Sequence, residues 1–168
     1  FSTIVKGYFK RGYSGDVSQQ AGNVVQATMR TYREAMKGLL PTPSKSHYTF
    51  NLRDFSRVVQ GVLLQEPSDQ FQNKPSVMRL WTHEALRVFG DRLTDDTDRQ
   101  WMCDHCSAMC KEVFKCDFQS EFDHIRPSDE TETGYGTLRR LFWGDYMTPA
   151  DEDERPYAEV PDLQQLQE

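Results

Sequence analysis

The sequence lacks the glycine-rich loop that holds nucleotide phosphates, since its 168 residues contain no Gly-Lys-Ser or Gly-Lys-Thr. It also has no apolar run near the roughly 20 residues that a membrane-spanning helix needs. Its first residues do not follow the basic and then apolar pattern of a secretory signal peptide. We therefore expect a soluble intracellular chain that does not bind and hydrolyse ATP by itself.

The two ends of the chain predict a piece of a larger protein. The sequence begins with Phe1 rather than with methionine. It ends on Gln167 and Glu168, in a stretch that has the pattern of a helix interior. A chain of this length suffices for one domain with a real core, or for one domain and a tail.

Cysteine is scarce, and its spacing is not that of a structural zinc site. The four cysteines lie at positions 103, 106, 110 and 116, beside His105, and only one Cys-x-x-Cys pair occurs where such a site usually has two. On a helix, positions 103, 106 and 110 share one face with Met102, Met109, Val113 and Phe114. This pattern predicts buried reduced thiols, no metal site and a cytosolic setting. A metal or redox module that uses the four cysteines is the alternative.

The net charge of −6 hides two parts of opposite sign. Residues 1–116 hold 16 Lys and Arg against 12 Asp and Glu, whereas residues 117–168 hold 4 against 14. An acidic extension argues against nucleic acid as the main partner. Residues 151–154 are all acidic and lie between prolines, which predicts a solvated linker. The alternative is a helical docking module whose acidic tail binds a basic partner.

The apolar spacing predicts a mainly helical body of about five helices followed by a short irregular or β-containing extension. The expected helices cover residues 1–9, residues 17–40, a stretch from Leu52 to before Pro67, a stretch that Ser76 caps and that runs to about residue 89, and a stretch from Thr94 to Phe114. Beyond Cys116 the pattern weakens, and residues 117–122 and 141–147 fit short strands or turns. Gly134 and Gly136 between them indicate a hinge.

The start of the third helix is the most informative feature. Pro41 and Pro43 end the preceding helix, and the aromatic and β-branched residues 48–50 favour an extended segment. Asn51 is a good N-cap, and Asp54 three residues later completes a capping box. The helix should therefore begin at about residue 52.

This prediction places Arg53 in the first turn of a helix, where the partial positive charge of the helix start disfavours a cation. An anion nearby would offset that cost, and a bound phosphate is one candidate. Pairing with a carboxylate, or a place along the surface, is the other explanation. Arg57 follows four residues later on the same side of the helix.

Two histidines carry weaker signals. His83 and Glu84 begin like a metalloprotease helix, but Arg87 stands where the second histidine would be required. His83 is therefore expected to pack or to form a hydrogen bond. The closeness of His47 to Arg53 in the chain favours a place near a bound phosphate, whereas a position as a plain loop residue explains it equally well.

Two segments carry a family resemblance. Residues 39–61 read LLPTPSKSHYTFNLRDFSRVVQG, and residues 79–93 read RLWTHEALRVFGDRL. Both resemble the lid of the third AAA+ module of axonemal dynein heavy chains, and the likeness extends over about residues 28–101. The length of the two motifs makes chance agreement improbable.

The resemblance implies a AAA+ helical lid over residues 1–116 and an acidic connector toward the fourth module over residues 117–168. In that family the arginine that opens this lid helix is the sensor-II residue, which reads the terminal phosphates of the nucleotide. That role carries over to Arg53, with Arg57 as a second candidate cofactor-binding residue. No catalytic residue is expected in this stretch.

The resemblance also implies the setting of the chain. The parent heavy chain hydrolyses ATP and moves along microtubules in the axoneme of a cilium or flagellum. The nucleotide, ATP or ADP with Mg, is then bound mainly by residues outside this stretch. The expected partners are the adjoining AAA+ modules, and microtubules and other dynein chains through the parent protein, with neither nucleic acid nor membrane.

Overall fold

A computed structural model describes residues 1–145 and 156–160 of the chain. Within these residues the helices are α1 (Ser2–Tyr8), α2 (Gly15–Gln19), α3 (Ala21–Gly38), α4 (Leu52–Val62), α5 (Lys74–Val88), α6 (Asp96–Met109) and α7 (Tyr135–Leu138). Single 3-10 or π-helical turns cover Gly90–Arg92, Cys110–Phe114 and Ser120–Ile125, and strands β1 (Phe142–Gly144) and β2 (Ala158–Val160) form a small sheet. The predicted fold class, mainly helical with a short β-containing extension, is confirmed.

The second predicted helix, residues 17–40, is two helices in the structure. Ser14 caps α2 by accepting a hydrogen bond from the Val17 amide at 3.3 Å. The amide of Gln20 then bonds the Val17 carbonyl three residues back, which tightens the turn and ends α2. Helix α3 starts at Ala21. The helical residues were therefore predicted correctly, but the prediction of one continuous helix was wrong.

Side-chain caps set the starts of α5 and α6, and one predicted cap is wrong. Asn73, not Ser76, caps α5: its Oδ1 accepts hydrogen bonds from the Ser76 amide at 2.9 Å and from the Ser76 hydroxyl at 2.8 Å. Pro75 fits within the first turn, where no helical hydrogen bond is lost. At α6 the cap is Asp95, whose Oδ1 accepts from the Asp98 amide at 2.9 Å.

Helix α5 packs against both α3 and α4, which also pack against each other. Ten of its 15 residues are buried, and the Trp81 indole N–H donates to the Thr28 hydroxyl on α3 at 3.0 Å. Fully burying a side chain such as Leu80 or Met78 contributes roughly 1.5–3 kcal/mol. The body is therefore stabilised chiefly around α5.

Two apolar residues on the helices of the body are exposed. Ile4 on α1 is 61% exposed and Met36 on α3 is 48% exposed, although both fit the apolar spacing of their helices. Val5, Phe9 and Ala35 on the same helices are buried. The apolar stripe of a helix is wider than the face that its neighbours cover, so its margin stays in solvent.

The residues beyond the main body continue the same core. Phe118, Phe122 and Trp143 belong to one cluster of buried residues with those of α3, α4 and α5. Of the two segments predicted as short strands or turns, residues 117–122 form a turn that leads into the 3-10 helix Ser120–Ile125, and residues 141–147 contain the strand Phe142–Gly144. Tyr146 and Met147 of that prediction, and the predicted acidic linker at residues 151–154, lie outside the described residues.

Strand β1 pairs antiparallel with β2, so that Phe142 faces Val160 and Gly144 faces Ala158. The Trp143 indole N–H donates to Gln65 Oε1 at 2.9 Å, which ties the sheet to the end of α4. Arg79 on α5 donates to Glu159 on β2 at 3.0 Å. Among the described residues, no helix is both long and apolar enough to cross a membrane.

Candidate functional site

The loop before α4 is clamped to the start of α6. Lys45 forms ion pairs with Asp95 and with Asp98, the latter at 2.5 Å. The Tyr48 hydroxyl donates to Asp98 Oδ2 at 2.8 Å and accepts from the Thr94 amide at 3.0 Å. These contacts hold the extended segment 48–50 against the start of α6. They thereby fix the direction in which the chain enters α4.

The predicted capping box at Asn51 is present. Asn51 Oδ1 accepts the Arg53 amide at 2.8 Å, and Asp54 Oδ2 accepts the Asn51 amide at 2.9 Å. Such a cap contributes about 1 kcal/mol to a helix start. The predicted start of the helix at residue 52 is therefore confirmed, and Arg53 lies in the first turn.

Asp54 is the anion nearest to Arg53 in the chain, and it is bound to other cations. Its side chain is only 2% exposed, and its Oδ1 accepts from Arg92 Nη2 at 2.5 Å. Arg57 Nη1 lies 3.8 Å from the same oxygen. The side chain of Arg57 is half exposed, so this longer pair adds little stability.

Arg53 itself is exposed. Its amide is used by the cap, but its guanidinium has no hydrogen bond or ion pair to residues 1–145 or 156–160. Leu52 beside it is 60% exposed. At the ring of Phe55, one turn into the helix, Phe1 packs edge-on with a centroid separation of 4.7 Å. The start of α4 thus presents a cation next to apolar surface.

Comparison with known proteins now identifies the family. The family described as "Dynein heavy chain, ATPase lid domain" matches residues 4–99, more than half of the chain. The chain belongs to this dynein lid family. The predicted resemblance is confirmed, and the place of this lid in the third module stays a prediction.

Curated relatives agree with the lid assignment. Dynein axonemal heavy chain 12 of Mus musculus is 44% identical over 170 residues, which cover 100% of this chain and 5% of the relative. The Homo sapiens protein of the same name is 46% identical over 165 residues, covering 97% of this chain and 5% of the relative. Dynein axonemal heavy chain 3 of Homo sapiens is 43% identical over 166 residues, covering 99% and 4%. The chain spans about 5% of the length of these relatives.

Both histidines singled out in this lid bind backbone carbonyls. His47 Nε2 lies 2.9 Å from the Arg92 carbonyl oxygen, so its ring N–H donates there. His83 Nδ1 lies 3.0 Å from the Leu141 carbonyl oxygen, which confirms the expected hydrogen-bonding role. Burial lowers the pKa of His83, an effect that outweighs the nearby Glu84 carboxylate, so the ring is neutral near pH 7.

A cavity in the described part of the lid is remote from Arg53. It measures about 740 Å³ and opens between α5 and β1, lined among others by His83, Arg87 and Trp143. None of residues 51–57 lines it. The cavity and the start of α4 at Arg53 are therefore separate features of the described residues.

The four cysteines of the lid are free and buried, as predicted. Burial raises the pKa of the Cys103 thiol to about 11, and burial also raises the pKa of Cys106 and of Cys110. A thiol that stays protonated is a poor nucleophile and a poor metal ligand. Within the described ranges, no three His, Cys, Asp or Glu residues are grouped so as to hold a metal ion.

Sequence reasoning found Arg53 and its cap but missed Arg92. The partner of Asp54 comes from 38 residues farther along the chain, so no local pattern points to it. The one signal is that Arg92 belongs to the second family segment, residues 79–93. Arg57 lies where the helical spacing placed it, at one turn from Arg53.

Proposed function

We propose that this chain is the nucleotide-sensing lid of a AAA+ module in an axonemal dynein heavy chain. In this proposal Arg53 binds the terminal phosphates of the nucleotide of that module. The supporting observation is that the guanidinium of Arg53, at a firmly capped helix start, has no hydrogen bond or ion pair within residues 1–145 and 156–160. Asp54, which would otherwise neutralise it, is bound to Arg92. An arginine without an internal partner suits a phosphate, because its planar fork matches phosphate oxygens.

The contact gives the lid a means to distinguish ATP from ADP. A guanidinium that reaches the last phosphate of ATP loses that contact when the phosphate leaves. Since Arg53 is held by a capped helix whose other face is buried against α3 and α5, its displacement moves the packed helices together. The angle of the lid then depends on the nucleotide state.

The surrounding machine is part of the proposal. Residues 1–116 are the lid of the third module, and residues 117–168 connect it to the fourth. ATP or ADP and its Mg are held mainly by residues outside this chain, with Arg57 as a second phosphate ligand. The parent heavy chain uses ATP to move along microtubules in a cilium or flagellum, and this lid works with adjoining modules.

The test is nucleotide binding by the motor domain of the parent heavy chain carrying Arg53→Ala. We expect its affinity for a non-hydrolysable ATP analogue to fall by about 1.5–3 kcal/mol, or roughly 10–150-fold. The affinity for ADP should change far less. Arg33→Ala is the matched control, because Arg33 is an exposed arginine on α3.

The two variants separate a phosphate contact from a general loss of surface charge. Equal ATP affinities for Arg53→Ala and Arg33→Ala would refute the proposed role of Arg53. An additional variant, Arg57→Ala, measures the contribution of the second candidate. Because the Arg57 side chain is half exposed and lies 3.8 Å from Asp54, its effect should be smaller than that of Arg53→Ala.

A further inference from the structure

Arg92 contacts the chain on both sides of the start of α4, at His47 before it and at Asp54 within its first turn. Its backbone carbonyl accepts the ring N–H of His47 at 2.9 Å. Its guanidinium donates to Asp54, from Nη2 to Oδ1 at 2.5 Å and from Nη1 to Oδ2 at 3.4 Å. One residue of the 3-10 turn between α5 and α6 therefore holds the chain before and after Asn51, the N-cap of α4.

The carboxylate that Arg92 binds has two roles in the helix start. Asp54 accepts the Asn51 amide and so closes the capping box. It is also a buried charge, and a buried carboxylate that loses its cation costs far more than an exposed one. Arg57, at 3.8 Å, is the other cation near it within the described residues. Arg92 is therefore what holds the buried Asp54 side chain directed at the cap.

Arg92 is itself held in place. Its guanidinium lies over the ring of Phe50, with the central carbon 5.6 Å from the ring centroid. Phe50 in turn packs against Phe89 with a centroid separation of 5.6 Å. With its side chain 27% exposed and both terminal nitrogens donating to Asp54, Arg92 is not available as a phosphate ligand.

We propose that Arg92 is a positioning residue for Arg53: through Asp54 and His47 it fixes the first turn of α4 and so the place from which Arg53 reaches phosphate. This inference rests on the proposed function of Arg53. Arg92, 39 positions from Arg53 in the chain, would then affect recognition of the last phosphate without touching the nucleotide.

The effect of removing Arg92 can be told apart from a loss of folding. Without Arg92, Asp54 has Arg57 as its nearest cation, and the capping box is no longer held from outside the helix. Arg53 then keeps its charge, but the first turn of α4, which positions it, is no longer fixed. The ratio of ATP to ADP affinity should therefore fall, because Arg53 touches only the last phosphates, whereas a damaged fold lowers both affinities.

The experiment is a double-mutant cycle in the motor domain of the parent heavy chain. Arg92→Ala, Arg53→Ala and the double variant are titrated with a non-hydrolysable ATP analogue and with ADP. We expect Arg92→Ala to lower the ratio of ATP to ADP affinity about tenfold, and to lower it no further in the Arg53→Ala background. Arg99→Ala is the matched control, since it removes the Arg99–Asp96 pair of α6, at 2.8 Å, and should leave the ratio unchanged.

A conservative variant keeps the test decisive if Arg92→Ala does not fold. Arg92→Lys supplies a charge for Asp54 but not the bidentate contact of a guanidinium. We therefore expect the ratio of ATP to ADP affinity to fall by about threefold. Equal loss of ATP and ADP affinity that persists in the Arg53→Ala background would make Arg92 merely structural and overturn the inference. The inference would also be overturned if Arg53→Ala lowers the ratio of ATP to ADP affinity while Arg92→Ala or Arg92→Lys leaves it unchanged, as the control Arg99→Ala does. If Arg53→Ala leaves the ratio unchanged, the proposed function itself is wrong, and the role of Arg92 is wrong with it.

Discussion

The carboxylate of Glu84 occupies the space in which a side chain on Gly61 would lie. A Cβ atom at Gly61 would overlap both carboxylate oxygens, so α4 and α5 approach closely at this pair. Glu84 is fully buried and accepts hydrogen bonds from Arg87 Nη2 at 2.6 Å and from the Tyr157 hydroxyl at 2.6 Å. A buried charge with two donors has little freedom to move aside.

The Gly61→Ala variant should therefore lose stability although alanine favours helices. The methyl group forces the helices apart or displaces Glu84 from its donors, at a cost of about 1–3 kcal/mol for overpacking alone. Urea denaturation of the 168-residue chain, followed by tryptophan fluorescence, measures the change in the free energy of unfolding.

Gly22→Ala is the matched control for this variant. Gly22 also lies in a helix, α3, but a Cβ there meets nothing within 4 Å. Alanine at that position should leave the free energy of unfolding unchanged or raise it by up to about 1 kcal/mol. If both variants were equally stable, the close approach of Gly61 to Glu84 would be wrong.

Stability should fall as the pH is lowered from about 7 to about 5. Burial lowers the pKa of both His83 and His105 below 6.5, so the unfolded chain takes up protons in this range before the folded chain does. The free energy of unfolding should then decrease by up to about 1.4 kcal/mol per pH unit for each histidine. Urea denaturation at a series of pH values measures this slope.

Two substitutions assign the slope to its source. His83→Gln and His105→Gln should each remove part of the pH dependence, and the double variant most of it. Burial raises the pKa of Asp91 from 3.8, which acts in the opposite sense at lower pH, so the comparison is restricted to pH 5 and above. A slope that survives in the double variant would contradict the neutral buried state of these rings.

The four thiols should be protected in the folded chain. Cys106 and Cys110 are fully buried, and burial raises the pKa of each, so their thiolates are scarce at pH 8. We expect a disulfide reagent such as DTNB to modify four thiols at once in denaturant and far more slowly in buffer. Cys116 should react first, because it is the most exposed of the four at 8%.

The same measurement tests the alternative of a metal or redox module. Rapid reaction of two or more thiols in the native chain, or zinc bound in stoichiometric amount to the purified protein, would favour that alternative. Alanine at Cys106 provides the packing control, since it should lower stability by leaving a small cavity while the other three thiols stay protected.

The helix start at Arg53 was predictable because its signals are local. Asn51 and Asp54 form a cap within four residues, and Pro41 and Pro43 end the preceding helix without help from the rest of the chain. The buried face of α6 and of the π-helical turn after it was predictable for a similar reason, since positions 103, 106 and 110 follow from helical spacing alone.

The contacts that complete the site join distant parts of the chain. The Asp54 to Arg92 pair and the Tyr48 to Asp98 hydrogen bond join residues 38 and 50 positions apart, and no periodicity encodes them. The wrong cap at Ser76 has a more local cause, because Asn73 precedes two residues, Lys74 and Pro75, that do not resemble a helix interior.

Helix α4 has contacts of different kinds at its two ends. Arg53 stands in its first turn, and Gln65, three residues after its last turn, holds the indole of Trp143 on strand β1. An α-helix of 11 residues is a stiff rod of roughly 16 Å. A displacement of Arg53 along the axis of α4 would therefore also displace Gln65 and, through its hydrogen bond to Trp143, the strand pair.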